Sequence, residues 1–141
     1  QAMKNVGNTG KVIGIVNEEK QIKLLNELEL CHEIVLADAT NAIDVYEKVI
    51  EVNKEPVDVT INVVNVQNTE MSCILITKDT GIVYFFSMAT SFTKAALGAE
   101  GVGSDVTMII GNGYTKGHAE LTLNLVNNAP KIKQLFERIY T

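Results

Sequence analysis

Thiol and imidazole side chains are scarce in this sequence: Cys31, His32, Cys73 and His118 are the whole supply in 141 residues. Only Cys31 and His32 are close together, and an adjacent pair is not the spacing of zinc ligands. No metal site is expected. Two cysteines also give no disulfide framework, and both fall in or beside expected helices, where packed thiols sit. Positive charge is thin as well, with 12 Lys and Arg against 17 Asp and Glu and a net charge of −5. No basic run exceeds a dispersed pair, which speaks against a nucleic-acid partner. Long apolar runs are missing: Ile82 to Phe86 and Val106 to Ile110 are far shorter than the roughly 20 residues that cross a bilayer. A membrane partner is not expected. The opening residues lack the basic and apolar regions of a signal peptide, so a reducing, cytoplasmic location is the expectation.

What the sequence does have is alternation. Short β-branched runs alternate with longer amphipathic segments, the pattern of βα units that build a parallel sheet with helices on its faces. The fold class is therefore α/β, a doubly wound parallel sheet of the Rossmann type. With 46% hydrophobic and 21% charged residues, and no repeat, low-complexity tract or linker, residues 1–141 read as one domain. Gln1 to Val6 reads as the end of a helix stopped by Gly7, and Lys11 to Val16 as the first strand. A helix from Glu18 to Leu30, a strand from Glu33 to Ala37 and a helix from Ala42 to Val52 follow. Next come a strand from Val57 to Val66, a helix from Thr69 to Thr77 and a strand from Gly81 to Met88. The glycines from Gly98 to Gly103 read as a flexible loop, Val106 to Ile110 as a strand, and Gly111-Asn112-Gly113 as its turn. Two helices close the chain, one from about Gly117 to Val126 and one opened by Pro130.

The beginning is the odd feature. A chain that opens in mid-helix has no strand for that helix to pack on, so the sheet reads as lacking its first strand and its Gly-rich loop. No G-x-G-x-x-G is present; the look-alike Gly98-Ala-Glu-Gly101-Val-Gly103 has the wrong order and follows the wrong strand. In a 3-2-1-4-5-6 sheet the strands here would be the second to the sixth, with the central one absent. That would leave a gap between the strands at Val12 and Val59, with backbone groups that cannot stay buried and unpaired. An N-terminal piece outside this chain, a strand from another chain, or a rearranged sheet would resolve it.

Four segments carry a family resemblance: Val35 to Asn41, Asp58 to Asn62 with Asn68 to Met71, Val83 to Lys94, and Met108 to Glu120. Together they make the chain resemble the diaminohexanoate dehydrogenase family over roughly residues 11 to 125. Phe85 to Gly103 and Ile109 to Leu121 weigh most, because polar-and-aromatic loop sequences seldom arise from packing alone. That family is similar to the medium-chain alcohol dehydrogenases, whose cofactor domain follows an N-terminal catalytic domain. The resemblance implies NAD(P)-dependent oxidation of the amine of L-erythro-3,5-diaminohexanoate, with water, to 5-amino-3-oxohexanoate and ammonia in lysine fermentation. This chain would be the C-terminal, cofactor-binding portion. A small amino-acid substrate and a homodimer are the implied partners.

Candidate site residues fall at the expected carboxyl ends of the strands, where open α/β sheets bind ligands. Asn17 and Glu18 stand where a carboxylate usually meets the adenosine ribose, although a helix-start acid explains Glu18 equally well. Lys20 is the one near counter-ion for a 2′-phosphate, so NAD is favoured with NADP possible. Asp38 stands where adenine lies, with a helix cap as its structural alternative. Val64 and Asn65 end the next strand, on the nicotinamide side, and Asn65 can equally satisfy loop backbone. Ser87, Met88 and Ala89, continued by Thr90 and Ser91, are placed to bond a nicotinamide carboxamide through their backbone, and Asn112 lies in a turn that lets backbone approach a ligand. Lys94 can reach a substrate carboxylate or remain a solvated helix lysine. His118 has the pKa range for proton transfer with an amine, but no partner is fixed beside it by sequence.

Two other readings compete. An S-adenosylmethionine-dependent methyltransferase shares alternating βα units and acidic strand ends, and a short antiparallel last strand would favour it over the two expected helices. A non-catalytic nucleotide-binding or assembly domain would explain the lack of a complete acid–base pair. On the dehydrogenase reading, the chain alone is expected to be inactive.

Overall fold

A computed structural model of the chain describes residue 7, residues 9–111 and residues 115–141. The expected helix end at Gln1 to Val6 and the site residue Asn112 lie outside the described residues. Five strands alternate with helices: β1 Ile13–Val16, α1 Glu19–Leu28, β2 Glu33–Leu36, α2 Ala42–Asn53, β3 Val57–Asn62, α3 Glu70–Ile76 and β4 Thr77–Phe85. Then come α4 Phe92–Val102, β5 Thr107–Ile110, α5 His118–Asn127 and α6 Pro130–Tyr140. All ladders among the described residues are parallel. The fold is α/β and Rossmann-like.

Local chemistry sets the helix ends. Gln21 Oε1 accepts the Asn17 and Glu18 N–H groups at 3.1 Å each, which satisfies donors at the start of α1. Asn41 caps α2 by accepting from Asp44 N at 3.2 Å, and Ser91 caps α4 by accepting from Lys94 N at 3.3 Å. Gly103, at φ 65, ends α4 in the left-handed region.

Several expected boundaries move. The glycines of the 98–103 stretch are not a loop: Gly98 and Gly101 lie inside α4 and only Gly103 is outside it. A Cβ on Gly98 would meet Met71 Sδ, so that glycine serves close packing of α4 on α3. The strand expected to reach Val66 stops at Asn62, where the Asn62 side chain accepts the Val64 N–H and turns the chain. The next strand begins at Thr77, directly after α3, and not at Gly81. Gly81 sits inside it because a Cβ there would lie 2.8 Å from Lys78 O and 2.9 Å from Asp58 O.

The sheet is divided as the sequence suggested. β1 pairs with β2, and β3, β4 and β5 form a separate sheet with β4 in the middle. No ladder joins β1 to β3 among the described residues. Val35, Ala37, Val45, Val49 and Ile76 form one buried cluster, with Ile13, Ile15, Val52 and Val57 packed around it. Cys73, Val83, Phe85 and Ala95 form a second. Helix α3 contributes Ile76 to the first and Cys73 to the second, so it joins the two sheets. Burying side chains the size of Val83 and Phe85 is worth about 1.5–3 kcal/mol each. Helices α2, α3 and α4 thus form one layer, whereas α1 covers the other face of β1 and β2, with Leu25 against Gly14.

Candidate functional site

The parallel strands send their loops out at their carboxyl ends, and α3 gathers three of those loops with buried polar side chains. Thr69, Glu70, Ser72 and Thr77 are all at most 5% exposed, so each needs a partner. Asn62, at the end of β3, donates from Nδ2 to Thr69 Oγ1 at 2.8 Å. Ser72 donates to the Ala39 carbonyl at 2.6 Å, which holds the loop after β2. Glu70 Oε1 accepts the Ser91 N–H at 2.7 Å, which holds the loop after β4. Thr77 donates to the Cys73 carbonyl at 2.7 Å. Burial beside this hub pushes the Cys73 thiol up to about 12, so it is an inert core group.

The loop after β2 presents Asp38. Its Oδ1 accepts both the Thr40 N–H, at 2.9 Å, and the Thr40 hydroxyl, at 2.7 Å. Those bonds hold its carboxyl below the ordinary carboxylate value. The cap of α2 is Asn41, not Asp38, so Asp38 shapes the loop and does not serve as the helix cap. The loop after β3 carries Val64 and Asn65, both exposed. After β4, Ser87 Oγ accepts the Ala89 N–H at 3.1 Å, and Met88 is 83% exposed. The Thr90 hydroxyl of this loop is buried without a hydrogen-bond partner among the described residues.

Asn17 and Glu18 follow β1 and are exposed. The Ala37 N–H donates to the Val16 carbonyl at 2.9 Å, which sets their loop beside that of Asp38. Lys20 Nζ lies 2.5 Å from Glu18 Oε2, so the candidate 2′-phosphate counter-ion is engaged by the candidate ribose carboxylate. Lys94 is exposed on the first turn of α4, and its Nζ donates to Asn68 Oδ1. The two flank a shallow cleft of about 310 Å³, which Glu70, Met71, Thr93 and Leu97 complete. His118 is the first residue of α5, with Nδ1 2.7 Å from the Thr115 carbonyl oxygen. A larger open depression of about 650 Å³ lies between α1 and Leu36, on the outer face of α1.

The hub therefore brings together the loops of Asp38, of Val64 and Asn65, and of Ser87, Met88 and Ala89. Asn62, Thr69 and Glu70 are the organising residues that sequence reasoning did not single out as a site, whereas Ser91 belongs to the 87–91 segment expected to meet the carboxamide. A Thr-Glu pair opening a helix beside a strand-end asparagine was the available signal.

No family model matches the chain. Over 141 residues it is 55% identical to L-erythro-3,5-diaminohexanoate dehydrogenase of Fusobacterium nucleatum, an alignment that takes in 99% of this chain. It is 52% identical, over the same share, to the protein of the same name from Acetoanaerobium sticklandii. The chain is homologous to these two dehydrogenases. It spans about two fifths of their length, 41% in each case.

A nicotinamide cofactor fits the described residues in part. Exposed Asn17, Glu18 and Asp38 suit an adenosine, and the 87–91 loop, with its unsatisfied Thr90 hydroxyl, suits a carboxamide. A Gly-rich phosphate cradle is not among the described residues. Nor is any group of three or more His, Cys, Asp or Glu side chains that could hold a metal ion. No helix among them is long and apolar enough to cross a membrane.

Proposed function

We propose that this chain is the cofactor-binding part of an NAD(P)-dependent enzyme that oxidatively deaminates L-erythro-3,5-diaminohexanoate. The observation that carries the reading is identity of more than half the residues, across essentially the whole chain, to two proteins bearing that name. The substrate is the one that name prints, and the products are those the family resemblance implies: the amine is oxidised and water replaces it, giving 5-amino-3-oxohexanoate and ammonia. A nicotinamide cofactor held here would supply the hydride acceptor. The residues of this chain bind and orient it. Glu18 and Asn17 take the ribose hydroxyls, the Asp38 loop borders the adenine, and Val64, Asn65 and the 87–89 backbone border the nicotinamide. NAD is preferred to NADP, because Glu18 repels a 2′-phosphate and already engages Lys20. Lys94, beside the cleft, is the candidate contact for the substrate carboxylate, and His118 the weaker candidate for proton transfer. The working protein is a cytoplasmic homodimer in which the rest of the polypeptide supplies the phosphate cradle and the catalytic acid or base.

Calorimetric titration of the complete polypeptide with NAD⁺, NADP⁺ and S-adenosylmethionine tests this reading. NAD⁺ binds, NADP⁺ binds more weakly, and Glu18→Gln narrows the difference. Binding of S-adenosylmethionine without NAD⁺ would replace it with the methyltransferase reading, against which the two helices after β5 already stand.

A further inference from the structure

One peptide group in the loop after β2 is held from both ends. It joins Ala39 to Thr40. Its carbonyl accepts the Ser72 hydroxyl at 2.6 Å, and its N–H donates to Asp38 Oδ1 at 2.9 Å. The turn is closed by the Asn41 N–H, which donates to the Asp38 carbonyl at 2.9 Å. Ser72 is 3% exposed and lies in α3, and a serine inside a helix commonly bonds back to a carbonyl of its own helix. Its single proton goes instead to a carbonyl 33 residues earlier in the chain. A buried helix therefore sets the plane of the peptide that Asp38 holds.

This clamp also decides which oxygen of the Asp38 side chain is engaged. Oδ1 takes both Thr40 donors, the N–H and the hydroxyl, the latter at 2.7 Å. Asp38 is exposed, and the bonds its side chain accepts from the described residues all fall on Oδ1. The Thr40 N–H, and then its hydroxyl, hold the carboxyl below its ordinary value, so at neutral pH Oδ2 is an acceptor and cannot donate. A carboxylate on a mobile loop can shift to meet whichever donor a ligand offers. One tied to a clamped peptide accepts at one place.

We propose that Asp38 selects the purine base of the cofactor, its Oδ2 accepting from the exocyclic amine of adenine, and that Ser72 is the positioning residue that makes the choice strict. The inference rests on the nicotinamide-cofactor reading above, which puts this loop against the adenine. Adenine carries a donor on C6. Hypoxanthine carries an oxygen there, and its donor is one ring position away, on N1. An oxygen fixed opposite the C6 substituent accepts from the first base and meets a second acceptor in the other, which disfavours it. Asparagine at position 38 would keep a carbonyl oxygen for the two Thr40 donors and put its amide N–H groups where Oδ2 stood, which suits hypoxanthine.

Calorimetric affinities of the complete polypeptide for NAD⁺ and for nicotinamide hypoxanthine dinucleotide test this without turnover. NAD⁺ is expected to bind about tenfold more tightly, the worth of one hydrogen bond to a charged group. Asp38→Asn is expected to reverse the preference, and Ser72→Ala to shrink it to about threefold or less. A loss of stability alone would weaken both dinucleotides together and leave their ratio in place. Equal affinities in the unaltered protein, or a preference that Asp38→Asn leaves unchanged, overturn the base selection while the cofactor reading stands. A ratio that Ser72→Ala does not move overturns the positioning role. A folded polypeptide that binds neither dinucleotide overturns both the base selection and the cofactor reading beneath it.

Discussion

The carboxylate of Glu70, 2% exposed, accepts the backbone N–H of Ser91 at 2.7 Å across 21 residues of sequence. It fixes the start of α4 to the start of α3, and with it the loop proposed to meet the nicotinamide. Glu70→Ala leaves the half-buried Ser91 N–H without its partner, a loss of about 1–3 kcal/mol. Glu70→Gln keeps an acceptor and loses less. Chemical denaturation of the complete polypeptide gives the two values, and equal losses would contradict the role.

Asn62 is the matching pin on β3. It is 5% exposed, donates to Thr69 and accepts from Val64. Asn62→Leu leaves the Val64 N–H without its partner, and a cost of about 1–3 kcal/mol is expected. Cofactor affinity should fall with it, because the loop bearing Val64 and Asn65 is released. A variant that binds cofactor normally would separate this loop from the site.

Acid and alkali act on different pairs. Bonds from the Thr40 N–H, and then its hydroxyl, hold the Asp38 carboxyl below its ordinary value of 3.8. The hydrogen bond and charge of Lys78 do the same for Asp58. A lowered pKa means that the contribution is complete above the ordinary value and is lost as pH falls through the folded one. Lys78 is raised by its bond to Asp58, so its contribution is lost as pH rises through its folded value. Asp38→Asn should therefore soften only the acid limb of the stability profile, and Asp58→Asn both limbs. Denaturant midpoints across pH check this.

The 98–103 stretch offers a sharp test of its helical state. Gly101 lies inside α4 with no heavy atom within 4 Å of a Cβ placed on it, whereas Gly103 sits at φ 65. Gly101→Ala should stabilise by roughly 0.5–1 kcal/mol, and Gly103→Ala should destabilise by about 1 kcal/mol. A flexible loop would respond weakly to both.

The alternation of β-branched and amphipathic segments was enough to read the order of elements and the parallel sheet, and the division between β1 and β3 followed from counting strands. Boundaries were less legible where a side chain overrides propensity. Val63 to Val66 continue a β-branched run, but the Asn62 side chain captures the Val64 N–H and ends the strand. Gly98 and Gly101 read as punctuation, although one is required by Met71 packing and the other is simply tolerated. The candidate loops were legible because strand ends mark them. The hub was not, since Glu70 and Ser91 are joined by folding alone and neither has a motif.

Reduction of nicotinamide cofactor in the presence of L-erythro-3,5-diaminohexanoate, with ammonia release measured alongside it, tests the central claim most directly. The complete polypeptide that contains this chain should form reduced NAD and ammonia in equal amounts, and the 141-residue chain alone should form neither. A complete, folded polypeptide that reduces neither NAD nor NADP with this substrate would contradict the claim.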